Sequence, residues 1–390
     1  MQEWINLNFK KEDIYGKLGT KHIVEVHNSK DFSDEFFKYG ELYFSAAELI
    51  IEKLIDEENS RNFDIHGIVL LYIYRHSLEL MIKANVLKLI KESKEQIISK
   101  IGHKLSVGFL ELNDIFEKIK PLEKRKVKWL INYFSIIDEF DESSDVFRYP
   151  RLFNGESTIK DECRAPLREL KRNMRVAFRC LKSLYQYGDF NKINLIRNQV
   201  FVLNKSDEYE SAVIGYKNAE KKHYPYFHSY FEEAQILEKW LMNKNEQLFL
   251  PMCFLYRTAI ELGLKTILYE TVLFDENSAK EIIRKNKHSL LGLWHKINDE
   301  LKSDGFRQLS DNEIEEIEKF EMYIMAIHNL DYRSDAFRYP TDKNMKFFFE
   351  EKRIFNIEGI SHCFKVICNF LDAVSYKYDP NVYHDLVDYY

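Results

Sequence analysis

The chain is poor in residues that break regular structure. Its 390 residues hold only 13 glycines and 7 prolines. So few turn-formers argue against a fold of many short strands and favour helices. Its five cysteines, Cys163, Cys180, Cys253, Cys363 and Cys368, include no two Cys-x-x-Cys pairs. That excludes the usual zinc-ribbon spacing and gives no disulfide framework. Cys363 and Cys368 fall within an apolar helical pattern, where cysteine acts as a small hydrophobe. The odd cysteine count points to a reducing, cytoplasmic setting, as does a start at Met1-Gln2-Glu3-Trp4 with no basic-then-apolar leader. No uncharged run reaches membrane-spanning length, since the apolar stretch from Gly67 is stopped at Arg75. A formal charge of -6 gives no whole-chain preference for nucleic acid, so any such site must be local. No His-Glu-x-x-His pattern, phosphate loop, Gly-x-Gly-x-x-Gly or serine elbow occurs. We therefore expect no metal, no cofactor and no membrane association.

What the chain does have, it has twice. Asp145-Val146-Phe147-Arg148-Tyr149-Pro150 returns as Asp335-Ala336-Phe337-Arg338-Tyr339-Pro340. Tyr74-Arg75 with Glu79 and Lys83 returns as Tyr256-Arg257 with Glu261 and Lys265. His103-Lys104-Leu105 returns as His288-Ser289-Leu290, and Leu112-Asn113-Asp114 as Ile297-Asn298-Asp299. The blocks recur in one order at similar spacing, which implies a duplicated domain. Hydrophobic residues make up 45% of the chain, enough for two real cores.

Periodicity predicts helices over 36–57, 67–90, 104–119, 122–140 and 166–185 in the first half. In the second half it predicts them over 230–241, 251–271, 290–302, 312–330 and 360–378. Residues 21–27, 199–203 and 211–214 read as short strands. The expected organisation is an N-terminal arm (1–35), a helical domain (36–188) and a linker with room for a short hairpin (189–226). A second helical domain (227–380) and an acidic, aromatic tail (381–390) complete it. The fold class is all-α, two tandem bundles packed as an internal pseudo-dimer.

Arg75, Glu79 and Lys83 lie four apart on an apolar helix, as do Arg257, Glu261 and Lys265, so each trio shares one face. Buried charges need partners. Asp145 and Arg148, and likewise Asp335 and Arg338, are the repeated candidates; each arginine is expected close to acidic groups of its own repeat, Glu79 and Glu261 first among them. Such a network either holds each bundle together or lines a polar cleft for a phosphate or nucleotide. His103 and His288 each stand where a helix start needs orienting.

These elements resemble the HEPN domains (higher eukaryotes and prokaryotes nucleotide-binding). The shared features are a helix ending Glu-x-x-x-Lys, a downstream His-x-Leu, and an aromatic-Arg-Tyr-Pro element. The resemblance implies all-α bundles that pair, and an association with bacterial toxin, antiphage or stress systems. Some members cleave RNA without metal, using Arg and His with four to six residues between them. Here Arg61 and His66 alone match that spacing. They precede the central helix and lack a counterpart in the second repeat.

The copies differ in charge. Lys124-Arg125-Lys126-Val127-Lys128 falls opposite Ile314-Glu315-Glu316-Ile317-Glu318. Arg168, Arg172, Arg175, Arg179 and Lys182, three or four apart, add a cationic stripe to the last helix of repeat one. This basic surface suits RNA or DNA phosphates, or an acidic protein surface such as that of repeat two. The leading expectation is a nucleic-acid-associated protein. Metal-independent RNA cleavage by Arg61 and His66, or a non-catalytic scaffold for a partner protein, are the alternatives.

Overall fold

A computed structural model describes residues 11–16, 22–57, 60–118, 120, 123–152, 154–159, 161–190, 193–203, 211–214, 222–243, 246–303 and 311–381. The chain is 68% helical, with only short two-stranded sheets. Repeat one comprises α1 (Phe32–Glu57), α2 (Ser60–Leu89), α3 (Lys94–Ile101), α4 (Leu105–Leu110), α5 (Asn113–Phe116), α6 (Lys124–Phe140) and α7 (Leu167–Tyr187). Repeat two comprises α8 (His223–Met242), α9 (Phe249–Glu270), α10 (Glu276–Asn286), α11 (Leu290–Ser303), α12 (Asp311–Leu330) and α13 (Ile357–Lys377). Among the described residues four strands accompany them: β1 (Ile23–Val26), β2 (Cys163–Pro166), β3 (Ser211–Ile214) and β4 (Arg353–Asn356).

Helices α2 and α9 are apolar nearly all round, and each runs through the middle of its bundle. Residues 66–86 of α2 and 249–268 of α9 are buried without a break. By contrast α7 is amphipathic, with Leu170, Met174, Ala177, Leu181 and Leu184 buried on one face and arginines on the other. It ends at Gly188, whose φ of 71° turns the chain in the left-handed region while its N–H donates to Leu184 O. α10 is capped by Asp275, which accepts from the N–H groups of Asn277 and Ser278.

The repeats exchange their strands. β1, which precedes repeat one, pairs antiparallel with β4 of repeat two in the register Val24↔Phe355. β3, which precedes repeat two, pairs antiparallel with β2 of repeat one in the register Arg164↔Val213. The expected linker hairpin is therefore replaced. Leu203 bridges Arg164 on β2 and Ser211–Ile214 pairs with the same strand, because β2 offers its backbone groups to both. Tyr15 likewise bridges Phe355 on β4.

The interface between repeats is buried and reciprocal. The Tyr43 hydroxyl donates to Phe337 O at 2.9 Å, and that of Tyr230 to Phe147 O at 3.1 Å. Each turn carrying Phe-Arg-Tyr-Pro thus has a backbone carbonyl satisfied by the opposite repeat. Tyr72, His76 and Phe254 stack between the two central helices. All five cysteines are buried, and none forms a disulfide. No helix among the described residues is long and apolar enough to cross a membrane.

Candidate functional site

Each repeat builds one ionic core on its central helix. In repeat one, Glu79 receives Arg75 Nη1 at 3.0 Å, Lys83 Nζ at 2.7 Å and His103 Nδ1 at 3.0 Å. Arg75 Nη2 donates to His103 O at 2.7 Å, which fixes the loop that carries the histidine. In repeat two, Glu261 receives Arg257 Nη1 at 2.7 Å, Lys265 Nζ at 2.7 Å and His288 Nδ1 at 2.9 Å, and Arg257 Nη2 donates to His288 O at 2.5 Å. The four-residue spacing puts arginine, glutamate and lysine one above another.

The tyrosine of each Phe-Arg-Tyr-Pro turn completes the core of the other repeat. The Tyr339 hydroxyl donates to Glu79 Oε1 at 2.9 Å. The Tyr149 hydroxyl lies 3.2 Å from His288 Nδ1. Lys83 and Lys265 sit over the rings of Tyr339 and Tyr149, at 4.8 and 4.1 Å from the centroids. Burial alone would raise the pKa of both glutamates. Lys83, His103 and Arg75 outweigh it at Glu79, and Lys265, His288 and Arg257 at Glu261, so both carboxyls lie well below their usual range.

Two expectations need correcting. Arg148 and Arg338 do not pair with Glu79 and Glu261. Each bonds the aspartate three residues earlier, Asp145 and Asp335, at 2.7 Å. The glutamates are already occupied by the charges of their own helix, and Arg148 feels the charge of Arg338 from the other repeat. The second concerns the α7 stripe, two of whose cations are engaged within repeat one rather than by the acidic helix of repeat two. Arg175 pairs with Glu48 and Glu52, and Lys182 with Glu41, all on α1 of the same repeat. α1 lies alongside α7 and presents glutamates at helical spacing.

Sequence reasoning missed Asp141 and Asp331. Asp141 Oδ1 accepts from the N–H groups of Asp145 and Val146, and Asp331 Oδ1 from those of Asp335 and Ala336. Both stand beside the arginine of their ionic core, 3.4 Å from Arg75 Nε and 3.9 Å from Arg257 Nε. Burial raises the pKa of both. The turn they hold contains Ser144 and Ser334, with φ of 64° and 66°, a region costly for a residue with a Cβ. The signal was available: the repeated block begins earlier than Asp145, as Asp-x-x-Ser-Asp-x-Phe-Arg-Tyr-Pro.

The surroundings of the two cores differ. Beside Lys265 a small cleft opens between the repeats, lined among others by Asp145, Tyr149, Arg151, His223 and Tyr269. Arg151 reaches Glu276 at 3.4 Å and lies over the Tyr269 ring. Burial lowers the pKa of both His223 and Lys265. At the corresponding positions beside Lys83 stand Thr341, Phe36 and Leu87, all buried.

The remaining candidates lie apart from these cores. His66, 5% exposed, places Nδ1 2.6 Å from Glu233 Oε1 of repeat two, with Glu232 at 3.7 Å from Nε2. Burial opposes its protonation, yet the two carboxylates prevail and its pKa rises. The backbone of Arg61 lies within α2, and its side chain is outside the described residues. Lys124, Arg125 and Lys128 stand exposed on the first turns of α6, and no ion pair engages them among the described residues. Lys126 is held by Glu123 and by Phe190 O. Arg168, Arg172 and Arg179 are exposed on α7, with Arg172 3.8 Å from Glu169. Among the described residues no cluster of three metal-ligating side chains occurs. Comparison with family models, with curated proteins and with solved structures yields no match.

Proposed function

We propose that the chain is a nucleic-acid-associated protein of two HEPN-like units that grips RNA or DNA phosphates through the basic surface of repeat one. The observation that carries this reading is the exposed trio Lys124, Arg125 and Lys128. Arg175 and Lys182 on α7 are neutralised by α1 glutamates, and a neutralised cation releases no counterion from a phosphate. The trio sits on consecutive turns of one helix with no competing carboxylate among the described residues. Its counterpart in repeat two reads Ile314, Glu315 and Glu318, so the duplicated unit offers a phosphate chain one basic face only. The test is binding of a fluorescent single-stranded RNA and a DNA duplex over a salt series. Lys124→Ala, Arg125→Ala and Lys128→Ala should each lower the salt slope by about one. Arg175→Ala should change it far less, because Glu48 and Glu52 already hold that guanidinium. Equal loss in all four variants would sink the assignment of the site to α6.

A second reading, metal-independent RNA cleavage, draws on His103. Its imidazole is 47% exposed, and its Nδ1 lies against the buried Glu79 carboxylate. A carboxylate on one ring nitrogen fixes the tautomer and leaves the other nitrogen to accept a proton. On this reading His103→Gln abolishes cleavage in the presence of a chelator. Loss in Arg61→Ala or His66→Ala, with His103→Gln active, would instead place the chemistry at those two residues.

A further inference from the structure

The small cleft beside Lys265 has no part in the surface formed by α6, and its lining suits an anion. Arg151 from repeat one meets Lys265 and His223 from repeat two there, so two cationic side chains and an imidazole face one space. The carboxylate in the lining, Asp145, is held by Arg148 at 2.7 Å. Lys265 bonds Glu261 at 2.7 Å and lies over the Tyr149 ring. Arg151 lies 5.0 Å from the centre of the Tyr269 ring. Its contact with Glu276, at 3.4 Å, is to an exposed carboxylate that Lys280 holds more closely, at 3.0 Å.

His223 is 2% exposed and stacks on Tyr269, with ring centres 5.0 Å apart. Its backbone N–H donates to Glu270 Oε1, yet that oxygen stays 3.6 Å from Nδ1, beyond hydrogen-bond distance. Nδ1 is buried and finds no hydrogen-bond partner among the described residues, an arrangement that a bound polar group relieves. Burial first, then the charges of Lys265 and Arg151, hold the imidazole pKa below its usual value against the pull of Glu270. The ring is therefore neutral at neutral pH and offers an N–H without a charge. The other copy shows that the ionic core needs none of this. Thr341, Phe36 and Leu87 stand there in place of Arg151, His223 and Tyr269. We propose that the cleft binds a single phosphate group, free or as a small monoester, with Arg151 and Lys265 countering its charge and His223 donating to one oxygen. A guanidinium fork beside an ammonium matches a tetrahedral dianion better than a planar carboxylate.

Calorimetric titration of the full-length protein with inorganic phosphate and with phenyl phosphate tests this. One site per chain is expected, and the tighter of the two probes tells the free ion from a monoester as its source. Arg151→Thr and His223→Phe, which install the residues of repeat one, should each weaken binding at least about tenfold. The tighter probe should raise the thermal midpoint of the wild type and leave those of the two variants unmoved, and the same melting curves show whether each variant folds. Should His223→Phe fail to fold, Arg151→Thr decides, because its ion-pair partner is exposed. Lys124→Ala/Arg125→Ala/Lys128→Ala should bind the probes as the wild type does, which separates this site from α6. No binding of either probe up to about 10 mM, or undiminished binding in Arg151→Thr, would overturn the site. So would loss confined to the α6 variant, or acetate bound as tightly as phosphate.

Discussion

The ionic cores around Glu79 and Glu261 have the same four charged or titratable groups in nearly the same geometry, yet their surroundings have diverged. Around Lys265 the neighbours are Arg151, His223 and Tyr269, and a cleft opens. Around Lys83 the matching positions hold Thr341, Phe36 and Leu87, and all three are buried. Groups that hold one another were kept in both copies, since losing one strands a buried charge. Groups that face outward were free to change. The contrast between α6 and α12 follows the same rule. Val127 and Ile317 are buried in both, while the exposed positions are basic in one and acidic or apolar in the other. Function is therefore to be sought where the copies differ, and stability where they agree.

The largest effects should fall on the shared cores. Glu79→Ala and Glu261→Ala should each cost roughly 3–5 kcal/mol, because each strands an arginine and a lysine. Chemical denaturation would measure this, and a large inequality between the two would break the equivalence of the cores. Arg338→Ala should come next and exceed Arg148→Ala. Arg338 bonds Ser334 O, the Tyr72 hydroxyl and Asp335, whereas among the described residues Arg148 bonds only Asp145 and its buried Nε and Nη1 find no hydrogen-bond partner. Removing an under-satisfied guanidinium should cost about 1–3 kcal/mol. Equal costs would show that the missing bonds do not matter.

Acid should weaken both cores together. Folded Glu79 and Glu261 lie well below the ordinary value of 4.5. Their contribution is therefore complete above that value and is lost as pH falls toward the folded values. Stability of the Glu79→Gln/Glu261→Gln variant should fall less steeply than that of the wild type below pH 4.5. A parallel decline would place the acid sensitivity elsewhere. The smallest effect belongs to the cleft rim. Arg151→Thr, which installs the residue found in the other copy, should alter stability by no more than about 1 kcal/mol, because Glu276 is an exposed partner. A larger loss would make Arg151 part of the scaffold.

Much of the fold was legible in the sequence. The helices on the central positions, α2 and α9, announce themselves as apolar runs carrying one charged face. The strands were visible as alternation over 21–27 and 211–214, but their partners were not. β1 pairs with a strand of the other repeat, distant in sequence, and no local pattern encodes such a pairing. α3 and α10 are short, exposed and charged, so periodicity passed them by. Of the site, the repeated Arg, Glu, Lys and His were readable because duplication marked them. Their wiring was not. Nothing in the spacing shows that Tyr149 and Tyr339 serve the opposite repeat, or that Asp141 and Asp331 rather than the glutamates sit at the base of each Phe-Arg-Tyr-Pro turn. The surface trio was legible as charge. Its distinction from the α7 stripe depends on Glu41, Glu48 and Glu52, which only packing brings near.

The salt dependence of RNA affinity in wild type and in Lys124→Ala/Arg125→Ala/Lys128→Ala tests the central claim most directly. The account predicts steep weakening with salt in the wild type and a slope lower by about three in the triple variant, with stability unchanged. Absence of RNA and DNA binding at low salt, or a slope untouched by the triple substitution, would contradict it.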